Sequence, residues 1–527
     1  MVDLVTPLFQ DAIEKLNNHK LDDAELGFLQ CIAKDSSCIQ AYNNLGLIAR
    51  LKKDIPLSNS YLSKSLKVDP NNTKAILNLG KNHLISGQSL EAKQYYQKVI
   101  DIYQSHDHSS DSFSEAYKQL GHLAKKDGLL EQAEIYYKQA LELKPDMYHV
   151  YNCLGEVFAR KNNFLEAKLF IEKALALSPQ YASAYSNLGI VLQNLGEYKQ
   201  AILCYQKAIE LNPDLAVAHN NLGMLQILCK NFSEGWKEYE WRLIANNLYI
   251  SDREIKKPIW RGEDLNGKTL LIRAEQGYGD TIQFIRYIKL FEGINANIIV
   301  EVQPPLKELL QYNFTHLATF IEPSDSLAEI DYHVALLSLP FLFDTRLENI
   351  PNWQPYLQIP PIKQTLLVNS NCEYKPRIGF AWTGNSQHTN NKNRSCPLNS
   401  FLKIFKSFNG LFYSLQVGLI ENELAKESYP NVMDLTSKIC DFTDTAQLIQ
   451  QLDLVICVDT ATAHLAAALG KPTWILLPYF PDWRWFLGQN DSPWYGSARL
   501  FRQSSIGNWD SVFEEILYAL KLVFAQD

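Results

Sequence analysis

An α-helical solenoid followed by two doubly wound α/β layers is the fold class that the sequence predicts, and three observations predict it. A Leu-Gly pair recurs six times through the first half in a nearly constant register. The register stops after residues 236–242, WKEYEWR. Beyond that point short continuous apolar runs alternate with helical patterns, as buried parallel strands do in doubly wound layers.

The repeat comes first in the chain. Its glycines are Gly46, Gly80, Gly121, Gly155, Gly189 and Gly223, so successive ones stand 34, 41, 34, 34 and 34 residues apart. Ala92, Ala133, Ala167 and Ala201 follow at one fixed offset, Ala140, Ala174 and Ala208 at a second, and Pro70, Pro145, Pro179 and Pro213 at a third. Small residues let two helix axes approach closely, and proline stops the second helix before the next unit. This spacing resembles the tetratricopeptide repeat (TPR), a helix-turn-helix of 34 residues. Six units carry the glycine, and a degenerate first unit around residues 8–38, with Ala24 at the alanine position, makes about seven. Stacked units predict a right-handed superhelix whose inner groove docks a protein or peptide partner. Asn44, Asn78, Asn152, Asn187 and Asn221 either contact such a peptide or satisfy local helix hydrogen bonds. The longer third unit predicts an extended loop near QSHDHSSDS. His106, Asp107 and His108 there read as a solvated loop or a metal site, the loop being preferred.

The strand-like runs of the second half are KTLLIRAE, ANIIVEV, LATFIEP, YHVALL, RIGFAW, LFYSLQ, LDLVICVD and PTWILLP. The proline-rich stretch 351–361 and the polar residues after it divide them into two sheets. The predicted domains are therefore 1–248 for the repeats, 249–365 for the first α/β domain and 366–527 for the second. Two such domains make a cleft between their strand carboxyl ends.

The turn after the first strand is Glu275-Gln276-Gly277-Tyr278-Gly279-Asp280-Thr281, and it runs into a helix. Ile282 stands where a dinucleotide fingerprint needs a third small residue, so a nicotinamide or flavin site is disfavoured. Asp280 reads either as the helix N-cap or as a site residue. In the second sheet, LVICVD ends in Thr460-Ala461-Thr462-Ala463-His464 and a helix of small residues. A helix start with hydroxyls and an imidazole beside it suits a diphosphate. Lys392 and Arg394 follow the strand RIGFAW on a polar loop that closes over phosphates or is merely solvated. Trp483, Trp485, Trp494 and Tyr495 stack on a base or sugar, or pack a core.

These segments carry a resemblance. GYGDT and DTATAHLAAALGKP resemble the heptosyltransferase-type (family nine) glycosyltransferases, over the chain from about Leu265 to its end. That resemblance implies the two-domain GT-B fold, with twin Rossmann-like halves for acceptor and donor. It implies Asp280 as general base toward the acceptor hydroxyl, on a loop with Gly277, Gly279 and Thr281. It matches Asp459, Thr460 and His464 to the motif that meets the nucleotide sugar, beside Thr462, and less closely Lys392 and Arg394. Ala461 departs from the glycine usual there. The layout is also similar to protein O-GlcNAc transferases in architecture.

The resemblance implies cofactor-free transfer from a nucleoside-diphosphate sugar to a hydroxyl of a protein or glycan, with inversion if Asp280 is the base, and because no DxD tripeptide occurs it is expected to be metal-independent. The alternative is an interaction scaffold whose glycosyltransferase-like half has lost catalysis. A chain of 527 residues, 46% hydrophobic and 20% charged, can bury the cores that either requires. A formal net charge of −8 disfavours nucleic acid as a partner. No stretch is long and apolar enough for a transmembrane span. Nine scattered cysteines without CxxC suit a reducing compartment, so the expected location is cytoplasmic.

Overall fold

The computed structural model describes residues 5–105, 111–246, 255–353, 355–361, 375–385, 390–417 and 429–524. These divide into two units, Met1–Pro213 and Asp214–Asp527.

The first unit is helical throughout. Its elements are α1 (Val5–Asn17), α2 (Leu21–Lys34), α3 (Ile39–Leu51), α4 (Ile55–Val68), α5 (Thr73–Ile85), α6 (Ser89–Ser105), α7 (Asp111–Lys126), α8 (Leu130–Leu143), α9 (Tyr148–Arg160), α10 (Phe164–Leu177), α11 (Ala182–Asn194) and α12 (Tyr198–Leu211). They pack as six consecutive hairpins. The repeat glycines explain the pairing, because each of the five in this unit lies under one side chain sixteen positions on. A Cβ added at Gly80, Gly121 or Gly189 would sit 2.6, 2.5 and 2.5 Å from the ring of Tyr96, Tyr137 or Tyr205. Leu62 and Ile171 fill the same role over Gly46 and Gly155. The alanines of the register are fully buried, as close helix crossing demands. Pro70, Pro145 and Pro179 each stand two residues past a helix end.

Two expectations for this unit change in detail. The longer third unit is not simply a longer loop. Helices α6 and α7 have 17 and 16 residues where the second and first helices of the other units have 14 and 13. Most of the insertion therefore continues regular helix, where i→i−4 hydrogen bonds satisfy the added backbone. His106, Asp107 and His108 lie outside the described residues. Three of the asparagines, Asn78, Asn152 and Asn187, hydrogen-bond between units rather than only locally. Asn78 accepts from Arg50 at 3.0 Å, and Asn187 donates to Asn152 and Glu156, both at 3.0 Å, so they tie first helices of successive units together.

The second unit opens with a further helix pair, α13 (Ala216–Leu228) and α14 (Phe232–Tyr239), and a short α15 (Arg242–Ala245). Next come β1 (Thr269–Arg273), α16 (Tyr278–Phe284), β2 (Asn297–Glu301), α17 (Pro304–Phe314), β3 (Thr319–Ile321), β4 (Tyr332–Ala335) and α18 (Leu339–Leu342). The strands form an all-parallel sheet in the order β3-β2-β1-β4. After α16 the chain tightens into a 3₁₀ helix, Ile285–Phe291.

A second sheet follows, built from β5 (Arg377–Ala381), α19 (Asn391–Arg394), α20 (Leu398–Ser407), β6 (Leu411–Ser414), β7 (Val432–Asp434), α21 (Phe442–Gln450), β8 (Leu454–Val458), α22 (Ala461–Ala468), β9 (Thr473–Leu477), β10 (Asp491–Ser492), β11 (Tyr495–Arg502) and α23 (Trp509–Val523). The order is β10-β11-β9-β8-β5-β6-β7, with only β10 antiparallel. Strands β8 and β9 are buried along their whole length, which is why they read as unbroken apolar runs rather than alternating ones. The strand order reverses direction between β5 and β8, and at such a switch point the loops beyond the carboxyl ends part to leave a crevice. The chain is thus a helical repeat array followed by two α/β sheets, the first all-parallel and the second parallel except for β10. No helix of the described residues is long and apolar enough to cross a membrane.

Candidate functional site

The site assembles from loops at strand carboxyl ends in both sheets. After β1, the turn bends at Gln276, whose φ of +66° is strained for a non-glycine residue. Its position is held from the side of α14 and α15. Arg242 is fully buried and donates to Glu275 Oε1 at 2.8 and 3.2 Å, to Glu240 and to Ser338. Burial pushes the Glu275 pKa up while Arg242 works against that push.

Asp280 is not the N-cap of α16. Gly277 occupies that position, and Asp280 stands at the third helical residue, where its Oδ2 accepts from Gly277 N at 2.8 Å. The other oxygen, Oδ1, accepts from Arg484. A carboxylate has about four acceptor directions, so sites remain, and the side chain keeps 18% of its surface exposed. Thr281 turns away: it is fully buried and donates to Gln303 Oε1 at 2.9 Å.

Opposite α16 stands the start of α22. A Cβ added at Gly279 would sit 2.8 Å from His464 Cδ2 and 3.6 Å from Ala461 Cα. Two helix starts from different sheets therefore meet, and only glycine allows it. Thr460 is the N-cap of α22, but its hydroxyl is buried and makes no hydrogen bond. Thr462 is half-buried in the first turn. His464 is buried, with Nε2 3.5 Å from Asp459 Oδ1. Burial alone would raise the Asp459 pKa, yet His464, with Trp485 and Arg394 behind it, brings it down to about 2. Arg394 belongs to this group, held by Asn391 and lying over Gly384. Lys392, two residues earlier on α19, is exposed and is not brought to the cluster. Residues 386–389 lie outside the described residues.

Sequence reasoning read Trp483 and Trp485 as aromatics and passed over the residue between them. Arg484 is buried with 7% of its side chain exposed, donates to Asp482 Oδ1 at 2.7 Å as well as to Asp280, and stacks 4.2 Å from the Trp483 ring centroid. The two carboxylates outweigh desolvation and keep it charged. Trp483 in turn meets Trp236 and Tyr239 edge-on at 5.4 and 5.6 Å. An arginine flanked by an aspartate and tryptophans was the signal available, since burial of such a charge requires a second acid. Among the described residues no group of three or more His, Cys, Asp or Glu side chains could hold a metal.

Comparison with known proteins agrees with this anatomy. Tetratricopeptide repeat models match residues 72–146, 118–182, 182–215 and 204–237. The model of glycosyltransferase family 9 (heptosyltransferase) matches residues 419–476, a span containing Asp459, Thr460, Thr462 and His464. Protein FlbA of Caulobacter vibrioides is 27% identical over 322 residues, 55% of this chain and 52% of FlbA. The photosystem I assembly protein Ycf3 of Rippkaea orientalis is 31% identical over 100 residues, 18% of this chain and 58% of Ycf3. The chain thus spans a little over half the length of these curated relatives. The crystal structure of YrrB, a TPR protein with an unusual peptide-binding site, is 19% identical and covers 36% of this chain and 95% of its own, with a TM-score of 0.29. The chain thus carries tetratricopeptide repeats within residues 72–237 and, in its C-terminal α/β region, a segment that matches glycosyltransferase family 9 (heptosyltransferase).

Proposed function

We propose that the protein transfers a sugar from a nucleoside-diphosphate donor to an acceptor hydroxyl, with inversion and without a metal, and that its repeats recruit the acceptor, a protein or a glycan. The observation that carries this reading is the meeting of α16 and α22. It sets Asp280, from the first sheet, next to the helix start that follows β8 in the second. Displacing a nucleoside diphosphate builds negative charge on the leaving phosphates, and fixed donors must stabilise it. The α22 start supplies backbone N–H groups and the unbonded Thr460 hydroxyl. Arg394 adds a cation beside them.

On the acceptor side, Asp280 retains lone pairs for a hydroxyl, whose proton it takes as the oxygen attacks the anomeric carbon. Attack opposite the leaving diphosphate inverts that centre. Thr281 holds the helix rather than the acceptor, and Gly277 and Gly279 set the backbone. Because Gly279 touches His464, the donor lies beside that contact and not through it.

The test is Asp280→Asn in the full chain, with a panel of nucleotide sugars and diphosphate release as readout. The expected result is a loss of at least 100-fold in turnover with donor binding retained. Full turnover by the variant refutes the base assignment. No thermal shift and no release from the wild type with any donor refutes the enzyme.

A further inference from the structure

Tyr495 is absorbed by none of the roles above, yet it touches the centre of the site. It opens β11, is fully buried, and places its hydroxyl 2.8 Å from His464 Nδ1. Its ring is fixed by an unusual clamp. The Arg286 guanidinium lies 4.8 Å from the Tyr495 centroid and 4.4 Å from that of Tyr356. Arg286 is itself fully buried and is held by three backbone carbonyls, those of Gln283 (2.8 Å), Trp494 (2.7 Å) and Pro351 (3.1 Å). Tyr356 donates to Ile282 O at 2.8 Å. The tyrosine hydroxyl therefore has a determined position rather than a free rotation of the ring.

The two ring nitrogens of a neutral histidine differ, and the partner of one decides the proton on the other. The 2.8 Å hydrogen bond between Tyr495 and Nδ1 leaves the donor open by itself, so the other ring nitrogen decides it. In the neutral ring the hydrogen sits on Nε2, which faces Asp459 Oδ1 at 3.5 Å. A lone pair in that place would face a carboxylate. Nδ1 then accepts from the Tyr495 O–H, and the carbon edge of the imidazole faces Gly279.

We propose that Tyr495 is a positioning residue: its hydroxyl fixes His464 as the Nε2–H tautomer, which aims that N–H at Asp459 and seats the ring edge against Gly279. His464 thereby orients Asp459 and spaces the two helix starts, instead of contacting the donor itself. The tautomer stands on geometry alone. The catalytic consequence rests on the glycosyltransferase reading above.

The experiment uses the full chain labelled with ¹⁵N-histidine, the His464 signals being assigned by their loss in His464→Gln. The wild type is expected to show an unprotonated Nδ1 and a protonated Nε2. Tyr495→Phe keeps the ring and its Arg286 contact, and is expected to bring a mixture of tautomers and a kcat about 10-fold lower, equivalent to one lost hydrogen bond, with donor KM within about threefold. An Nδ1–H tautomer or an imidazolium in the wild type overturns the proposal, and so does an unchanged His464 spectrum in Tyr495→Phe. A changed spectrum with unchanged kcat removes the positioning role. The expected spectra combined with a wild type that consumes no nucleotide sugar refute the glycosyltransferase reading and leave the tautomer assignment intact. Should Tyr495→Phe fail to accumulate, the wild-type spectrum by itself decides the tautomer.

Discussion

Gly279→Ala is the most economical probe of the site, because one methyl group meets a surface that cannot retreat. An added Cβ lies 2.8 Å from His464 Cδ2, whereas carbon atoms rest about 3.5–4.0 Å apart. The helix starts must therefore separate by about 1 Å, or His464 must turn. Turning is resisted at both ends of the imidazole, by Tyr495 at 2.8 Å and by Asp459 at 3.5 Å. Backbone conformation adds nothing, since Gly279 is not among the residues with positive φ. Overpacking of this kind costs about 1–3 kcal/mol, and displacement of a reacting group by about 1 Å costs roughly 100-fold in rate. Diphosphate release under saturating donor, together with thermal unfolding, reads both effects. The expected outcome is a rate loss of about 100-fold with a melting temperature lower by a few degrees. Gly277→Ala is the control: its Cβ meets only Asp280 Oδ2, at 3.1 Å, so a smaller loss is expected. Wild-type rate and stability in Gly279→Ala would show that the two helix starts are not in contact in solution, and the reasoning that joins the sheets at this point fails with it.

Further predictions concern the repeats. Burial lowers the pKa of His122 from 6.5 to about 4, with Tyr137 OH 2.8 Å from its Nδ1. Below pH 6.5 the unfolded chain binds the proton more readily than the folded one, so stability is full above that value and falls as pH drops toward 4. The loss is at most about 3 kcal/mol, and urea titrations of wild type and His122→Gln at pH 7 and pH 4.5 should show a smaller pH difference in the variant. Lys53 occupies, at a φ of +64°, the left-handed position after its helix that Gly87, Gly128 and Gly196 take in other units. Lys53→Gly is expected to stabilise by about 1 kcal/mol, read as a raised urea midpoint, and a lower midpoint would contradict it.

Most of the repeat architecture was legible before any coordinates, and the reason is locality. Each repeat glycine packs on the residue sixteen positions later, within one hairpin, so a single period in the sequence encodes the contact. The strand runs of the two sheets were legible for a related reason, as burial on both faces leaves continuous apolar segments. Strands β7, β10 and β11 escaped: β7 and β10 have only three and two residues, and in the eight-residue β11 Gly496, Ser497, Arg499 and Arg502 break up the apolar run. The site was legible only as separate pieces. Asp280, Asp459 and His464 announce themselves by motif, but the partner of Asp280 is Arg484, the partner of His464 is Tyr495, and the neighbour of Gly279 is His464. These pairs join loops from different strands, where spacing along the chain has no fixed relation to distance in space. Lys392 and Arg394 illustrate the same point: two residues apart on one short helix, one is exposed while the other packs over Gly384 and acts electrostatically on Asp459. Composition and periodicity determined which elements form and how repeats stack, because those follow from contacts between near neighbours. Which charged groups face one another, which histidine nitrogen carries its proton, and how closely two helix starts approach were decided by tertiary packing, because only the folded chain brings distant loops within hydrogen-bond range.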